Sequence, residues 1–216
     1  MARMIDCGFN NDLNIEKNLL WSSIKNNLPE NIICYYNYQV EGKKINFCLL
    51  IEDIGLYTIE TKEWNKDQIL SVFSSNEVEI RNGNGIIDVI ETVHSPRLQA
   101  KSFQLVLSNI LNDNYNINPP VYGIVCYPLL SENEYEKLGL RTISEPSITF
   151  FKEDISNQND FIRKLLSVHT KFSYIKNDSM DNRIYSLCKR NFEGYILLDE
   201  IGDKNPYSIL NMDCQP

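Results

Sequence analysis

Three residues, Asn46, Glu60 and Lys62, have types and spacing that suit chemistry. Glu60 and Lys62 form a Glu-x-Lys pair. On a β-strand, side chains two apart point to the same face, so carboxylate and ammonium would stand side by side. With a polar residue on a neighbouring strand, such a pair suits metal-assisted phosphodiester hydrolysis. Carboxylates hold Mg²⁺, the metal activates water, and the lysine stabilises developing charge or orients the nucleophile. The ordinary alternative is a solvated strand face carrying a weak surface pair.

Two strands must position these residues, and residues 44–51 and 56–62 have the composition for them. With Asp53-Ile54-Gly55 as a three-residue hairpin loop and Gly55 left-handed, Leu50 pairs with Thr58, Cys48 with Glu60, and Asn46 with Lys62. Asn46, Glu60 and Lys62 then share one face at one end of the hairpin. Phe47, Leu49, Ile51, Tyr57 and Ile59 form the opposite, apolar face. A slip of one residue would separate Asn46 from the other two. Glu52 and Asp53 lie at the far end and read as turn residues.

Around this hairpin the pattern predicts a helix over residues 13–28, with Leu13, Ile15, Leu19, Leu20 and Ile24 as its stripe and Asn14 as its cap. Residues 32–39 read as a strand and residues 41–43 as a turn. Residues 64–88 read as an irregular β region, with a hairpin turn at Arg81-Asn82-Gly83-Asn84-Gly85. A strong helix follows over residues 97–111, offering Leu98, Phe103, Leu105, Val106 and Ile110 to a core. A strand covers 121–127, a short helix capped by Ser131 covers 131–138, and a short strand covers 147–151. A further helix covers 157–169, with Phe161, Ile162, Leu165 and Leu166 inward. The order implies an α/β fold, a mixed central sheet flanked by helices.

Composition narrows the function classes. The chain has 216 residues, enough for one ample domain. Its net charge of −8, from 21 basic and 29 acidic residues, excludes a generally basic nucleic-acid coat but allows a local basic patch. Six cysteines are scattered without short pairs, and there are only two histidines, His94 and His169, so a structural zinc site is not expected. No apolar run approaches the roughly 18 residues of a membrane span. The start, Met1 to Asp6, lacks the apolar core of a signal peptide, and a cytoplasmic location is expected.

Four runs, in order, carry a family resemblance: Glu16 in the first helix; Gly55-Leu56-Tyr57-Thr58-Ile59-Glu60-Thr61-Lys62-Glu63-Trp64; Ser95-Pro96-Arg97-Leu98-Gln99-Ala100; and Val121-Tyr122-Gly123-Ile124-Val125-Cys126-Tyr127-Pro128. Over residues 13–170 the chain resembles the nuclease-related domain, NERD, a branch of the PD-(D/E)xK nucleases. The resemblance implies a restriction-endonuclease-like sheet and metal-dependent DNA cleavage with Mg²⁺ or Mn²⁺. It implies metal positions at Glu16, Asn46 and Glu60, and catalytic positions at Glu60, Lys62, Asn46 and Gln99. One departure matters: the family usually has Asp where Asn46 stands. Asn offers a neutral carbonyl oxygen but no charge, so metal binding should weaken and hydrolysis could be abolished. Natural degeneration and an engineered inactivating change both fit Asn46.

Other residues have both functional and ordinary readings. Glu16 completes a metal shell or is a surface glutamate. Gln99 touches the scissile strand, orients Lys62, or is a buried amide. Trp64 is core or a base-stacking platform. His94 contacts phosphate or caps the helix. Lys43, Lys44, Lys66, Arg81, Arg97 and Lys101 form a basic rim or are simply solvated.

Residues 1–175 are expected to form the NERD-like domain, and residues 176–216 a linker, a segment packed on the main body, or the start of a following domain. The opening residues are similar to those of proteins in which this domain is fused to a superfamily-one helicase. Residues 209–216 would suit the beginning of such a motor, although no Gly-Lys-Ser/Thr phosphate loop occurs in the 216 residues. The expected partners are DNA, a C-terminal helicase domain and a second copy of the chain, in DNA processing or anti-phage defence. The alternative function is a catalytically degenerate DNA- or protein-binding or oligomerisation module. A small-molecule enzyme is disfavoured, because no glycine-rich cofactor loop or Ser-His or Cys-His signature is present.

Overall fold

A computed structural model describes residues 1–7, 18–40, 42–83, 88–175 and 177–200. Its centre is a six-stranded mixed sheet. The strands are β1 (Arg3–Asp6), β2 (Ile33–Val40), β3 (Lys43–Ile51), β4 (Gly55–Thr61), β8 (Val121–Tyr127) and β9 (Thr149–Phe151), in the order β1-β2-β3-β4-β8-β9. β2, β3 and β4 form an antiparallel meander. β1 pairs parallel with β2, β8 with β4, and β9 with β8. Between β4 and β8 the chain builds a separate antiparallel sheet of β5 (Ile69–Val72), β6 (Glu77–Gly83) and β7 (Asp88–His94).

Helices cover both faces. α1 (Leu19–Asn27) and α4 (Gln158–Phe172) bury Leu20, Trp21, Ile24, Phe161, Leu165 and Val168 against Phe47, Leu49, Ile51, Tyr57 and Ile59. α2 (Pro96–Tyr115) and α5 (Asn182–Glu200) cover the other face, where Phe103, Leu107, Cys188 and Phe192 meet Tyr35, Cys48, Leu50 and Leu56. A third cluster joins the small sheet and α3 (Glu132–Lys137) to the end of the main sheet through Trp64, Val78, Tyr127 and Tyr135. This is a restriction-endonuclease-like mixed sheet between helices.

Local chemistry explains the element ends. Asn18 caps α1 by accepting hydrogen bonds from the Leu20 and Trp21 amides. Pro96 opens α2 at its first position, and Asn116, left-handed at φ 51°, closes it. Ser131 and Glu134 form a reciprocal capping box on α3. Gly123 lets α2 lie directly on β8: a Cβ there would sit 2.7 Å from the Ala100 carbonyl oxygen.

Several expectations need correction. The β3–β4 loop is Glu52-Asp53-Ile54, with Ile51 opposite Gly55; Gly55 has the positive φ expected of it, at 141°, and Asp53 is left-handed as well, at φ 61°. Gly55 instead lies within β4, where a Cβ would stand 2.5 Å from the Pro120 oxygen. The register therefore slips by two residues from the expected one, and an even slip keeps Phe47, Leu49, Ile51, Tyr57 and Ile59 on their expected face. Asn18, not Asn14, caps the first helix; residues 13–17, and with them Glu16, lie outside the described residues. Leu19, Leu98, Leu105 and Leu166 are exposed, because the neighbouring layers cover narrower stripes of their helices than the apolar pattern offers. Residues 146–148 form a 3₁₀ turn before β9. β1 and β7 were not anticipated. The centre of the Asn-Gly turn, residues 84–87, and the segment 201–216 also lie outside the described residues. Beyond residue 175, α5 packs Ile184, Cys188 and Phe192 against the main sheet.

Candidate active site

β4 carries Glu60 and leads straight to Lys62. Alternation from Leu56 and Thr58 puts both side chains on the α2 face of the sheet. The β3–β4 ladder runs from Ile51–Gly55 to Phe47–Ile59, so Asn46 and Glu60 are the next residues of the two strands beyond its last pair. Asn46 is half-buried. The expected pairing of Asn46 with Lys62 does not occur in this ladder, whose register differs from the expected one by two residues.

Glu60 is 3% exposed. Its Oε1 lies 2.7 Å from Lys62 Nζ, an ion pair at the end of the strand. Burial raises the Glu60 pKa above the usual carboxylate range, and the charge and hydrogen bond of Lys62 pull it back only in part. The Lys62 backbone is fixed as well, since its amide donates to the Cys126 oxygen of β8 at 3.0 Å. Lys62 Nζ also lies 6.0 Å from the centre of the Trp64 ring. That ring is buried against Tyr127, Val78 and Ile80, so Trp64 is core rather than a stacking platform.

α2 brings Gln99 to this end of the sheet in its first turn. The Gln99 Oε1 is buried and has no hydrogen-bond partner among the described residues. The Tyr127 hydroxyl, at the end of β8, is buried in the same condition. Its pKa is pushed far up by burial, with Tyr135 and then Glu60 adding to the rise. An unpaired buried polar atom costs stability, and others among the described residues lie at Trp21, Thr61, Ser95 and Asn191.

The basic residues do different jobs. Lys43 Nζ donates to Ser102 Oγ on α2, and Arg97 Nη1 donates to the Gly123 oxygen. Lys44, Lys66, Arg81 and Lys101 are exposed. His94 is exposed at the end of β7, opposite Glu77, and contributes no cap; the N-cap of α2 is Ser95. Glu63 accepts a hydrogen bond from the Leu19 amide at 2.9 Å, tying the start of α1 to the residue after Lys62.

A family model described as the nuclease-related domain, NERD, matches residues 14–128. The chain belongs to the NERD family. The match spans the first helix, the β2–β3–β4 meander, the small sheet, α2 and β8, which together carry Asn46, Glu60, Lys62 and Gln99. No curated protein and no solved structure matches the chain. Membership of this family suggests a divalent-metal requirement, and the donor chemistry of the NERD site fits one. Glu60 supplies a carboxylate, Asn46 an amide oxygen, and Gln99 a buried amide oxygen in need of a partner. All are hard oxygen donors. Among the described residues no three His, Cys, Asp or Glu side chains gather into a metal-binding group, so the set is rich in oxygen and poor in charge.

Asn37 and Tyr127 escaped the sequence reading. An asparagine between Tyr36 and Tyr38 in a strand is the signal that could have found Asn37, because Asn is disfavoured in strands and tolerates left-handed backbone. Tyr127 gave no signal beyond its place at the end of an apolar strand.

Proposed function

We propose that this chain is a metal-dependent DNA nuclease domain in which Asn46 limits metal affinity and turnover. The observation that supports this reading is the Glu60–Lys62 pair at the end of β4, with Glu60 buried and 2.7 Å from Lys62, on the strand that pairs with the one carrying Asn46. Glu60 and Asn46, with Gln99 from α2, would hold Mg²⁺ or Mn²⁺, and Glu16, outside the described residues, would complete the shell. A divalent ion bound there supplies Lewis acidity, activating water and neutralising charge on the scissile phosphate. Lys62 stabilises the charge that develops on the phosphate oxygens and orients the attacking water. Gln99 contacts the substrate strand or steadies Lys62. The exposed Lys44, Lys66 and Lys101 supply the local positive charge that an acidic protein needs to meet a phosphate backbone.

The wider role follows from the resemblance. The domain works beside a helicase motor, in the cytoplasm, in DNA processing or anti-phage defence. Among the described residues no helix is long and apolar enough to cross a membrane.

One observation favours a second function, a DNA- or protein-binding or oligomerisation module. With Asn at position 46, the one candidate-site carboxylate among the described residues, Glu60, is ion-paired with Lys62. A single assay separates the two. The chain, its Asn46→Asp variant and the Asn46→Asp/Lys62→Ala double variant are incubated with plasmid and single-stranded DNA plus Mg²⁺ or Mn²⁺. Cleavage by Asn46→Asp that disappears in the double variant supports the nuclease. Cleavage that survives loss of Lys62 removes this site from the chemistry. No cleavage by any variant, with retained DNA binding or self-association, favours the module.

A further inference from the structure

β2 and β3 keep one antiparallel register from Ile33–Leu50 to Val40–Lys43, but the step where Asn37 faces Asn46 drops out of the ladder. At that step both strands change faces. Cys34 and Tyr36 of β2 pack on the α1 side, yet Tyr38 packs with α5. Phe47 of β3 packs on the α1 side, yet Ile45 joins the α5 side. Simple alternation would have kept Tyr36 with Tyr38 and Ile45 with Phe47.

The cause is in the backbone of Asn37. It holds φ 57° inside a strand, where no turn calls for it. L-residues other than Gly and Asn resist this conformation, and strain of this kind persists only where the surroundings enforce it. Asn37 is 2% exposed. Its Nδ2 donates to Asp6 Oδ1 of β1 at 3.2 Å, while its Oδ1 is buried without a partner among the described residues. The bend carries the far half of the β2–β3 hairpin toward α2, where Lys43 bonds Ser102, and leaves Asn46 at the bend, one residue beyond the last β3–β4 pair, Phe47–Ile59.

We propose that Asn37 is a positioning residue: its left-handed backbone, tethered by Asp6, bends the β2–β3 hairpin so that residue 46 meets Glu60. This rests on the metal-dependent reading of the site. The test uses the full chain with Asn46→Asp as background, titrated with Mn²⁺ and followed by electron paramagnetic resonance of the free ion. Far-UV circular dichroism and thermal melting monitor the fold. Asn37→Gly, which accepts positive φ freely, should keep Mn²⁺ affinity within about threefold. Asn37→Ala should lose about tenfold or more with secondary structure unchanged, the scale at which residues that orient metal ligands act. If Asn37→Ala fails to fold, Asp6→Ala carries the test: it removes the acceptor of the tether without touching the Asn37 backbone and should weaken affinity severalfold. Unchanged affinity in Asn37→Ala or in Asp6→Ala overturns the proposal, as does Asn37→Gly weakening as much as Asn37→Ala. If Asn46→Asp itself binds no Mn²⁺, the reading of the site falls and this inference falls with it. If Asn46→Asp binds and the Asn37 variants bind equally, only the inference falls.

Discussion

Lys62 Nζ stands 2.7 Å from Glu60 Oε1, the ammonium 25% exposed and the carboxylate almost wholly enclosed. Burial outweighs the lysine here, and the folded Glu60 carboxyl titrates above its ordinary range. A carboxyl with a raised folded-state pKa holds its proton more tightly in the folded chain. Its contribution is complete below the unfolded pKa and is lost as pH rises through the folded value. Glu60→Gln keeps the shape and never ionises. It should therefore melt higher than the parent at neutral pH, with the gap closing as pH falls. Thermal melts of both proteins between about pH 4 and pH 8 check this. A gap that stays constant across the range would mean that Glu60 does not titrate as its burial requires.

Gly123→Ala tests the seating of α2. The added Cβ meets the Ala100 carbonyl oxygen at 2.7 Å and its carbon at 3.0 Å, both backbone atoms that cannot swing away. Helix and strand must part, at a cost of about 1–3 kcal/mol, the usual range for overpacking. Denaturant unfolding reads the loss directly. An unchanged midpoint would show that α2 sits more loosely on β8 than the Ala100–Gly123 approach implies.

Tyr127→Phe removes a buried hydroxyl that has no partner among the described residues. The ring remains packed against Trp64 and Tyr135. Stability should hold or rise by about 1 kcal/mol, because an unpaired buried polar group costs about that much or more. A clear loss in thermal melting would reveal that the hydroxyl has a partner in solution.

Much of this arrangement could be read from the chain. The strands around residues 33–51 and 121–127 are apolar and β-branched or aromatic, and their bounds fall within one residue of the expected ones. The hairpin loop lies one residue earlier than the pattern suggests, yet Phe47, Leu49, Ile51, Tyr57 and Ile59 keep their face, because a slip of two preserves alternation between them. What escaped depends on partners distant in sequence. Asp6 meets Asn37 across 31 positions, and β1 is a four-residue strand that only the edge of β2 makes regular. Gly55 read as a loop residue because the approach of Pro120 that demands it comes from 65 residues downstream. The polar faces of Leu98 and Leu105 look apolar in sequence because helical periodicity marks a stripe but not its covered width.

Gln99 separates a residue kept for stability from one kept for a ligand. Its Oε1 is buried in the first turn of α2 without a partner among the described residues. If the amide is there only to fill space, Gln99→Met preserves its length and removes the orphaned acceptor. Stability should then rise by about 1 kcal/mol, the lower end of the cost of an unsatisfied buried group. A role at the metal or the substrate strand adds a second effect that packing alone cannot produce. In the Asn46→Asp background, Gln99→Met should weaken Mn²⁺ affinity or DNA cleavage by about tenfold or more, even as the melting temperature climbs. Stability and function moving in opposite directions would assign the amide to the site. A gain in stability with Mn²⁺ affinity and cleavage unchanged would make Gln99 an imperfectly satisfied core residue, and would leave Asn46, Glu60 and Lys62 to carry the chemistry without it.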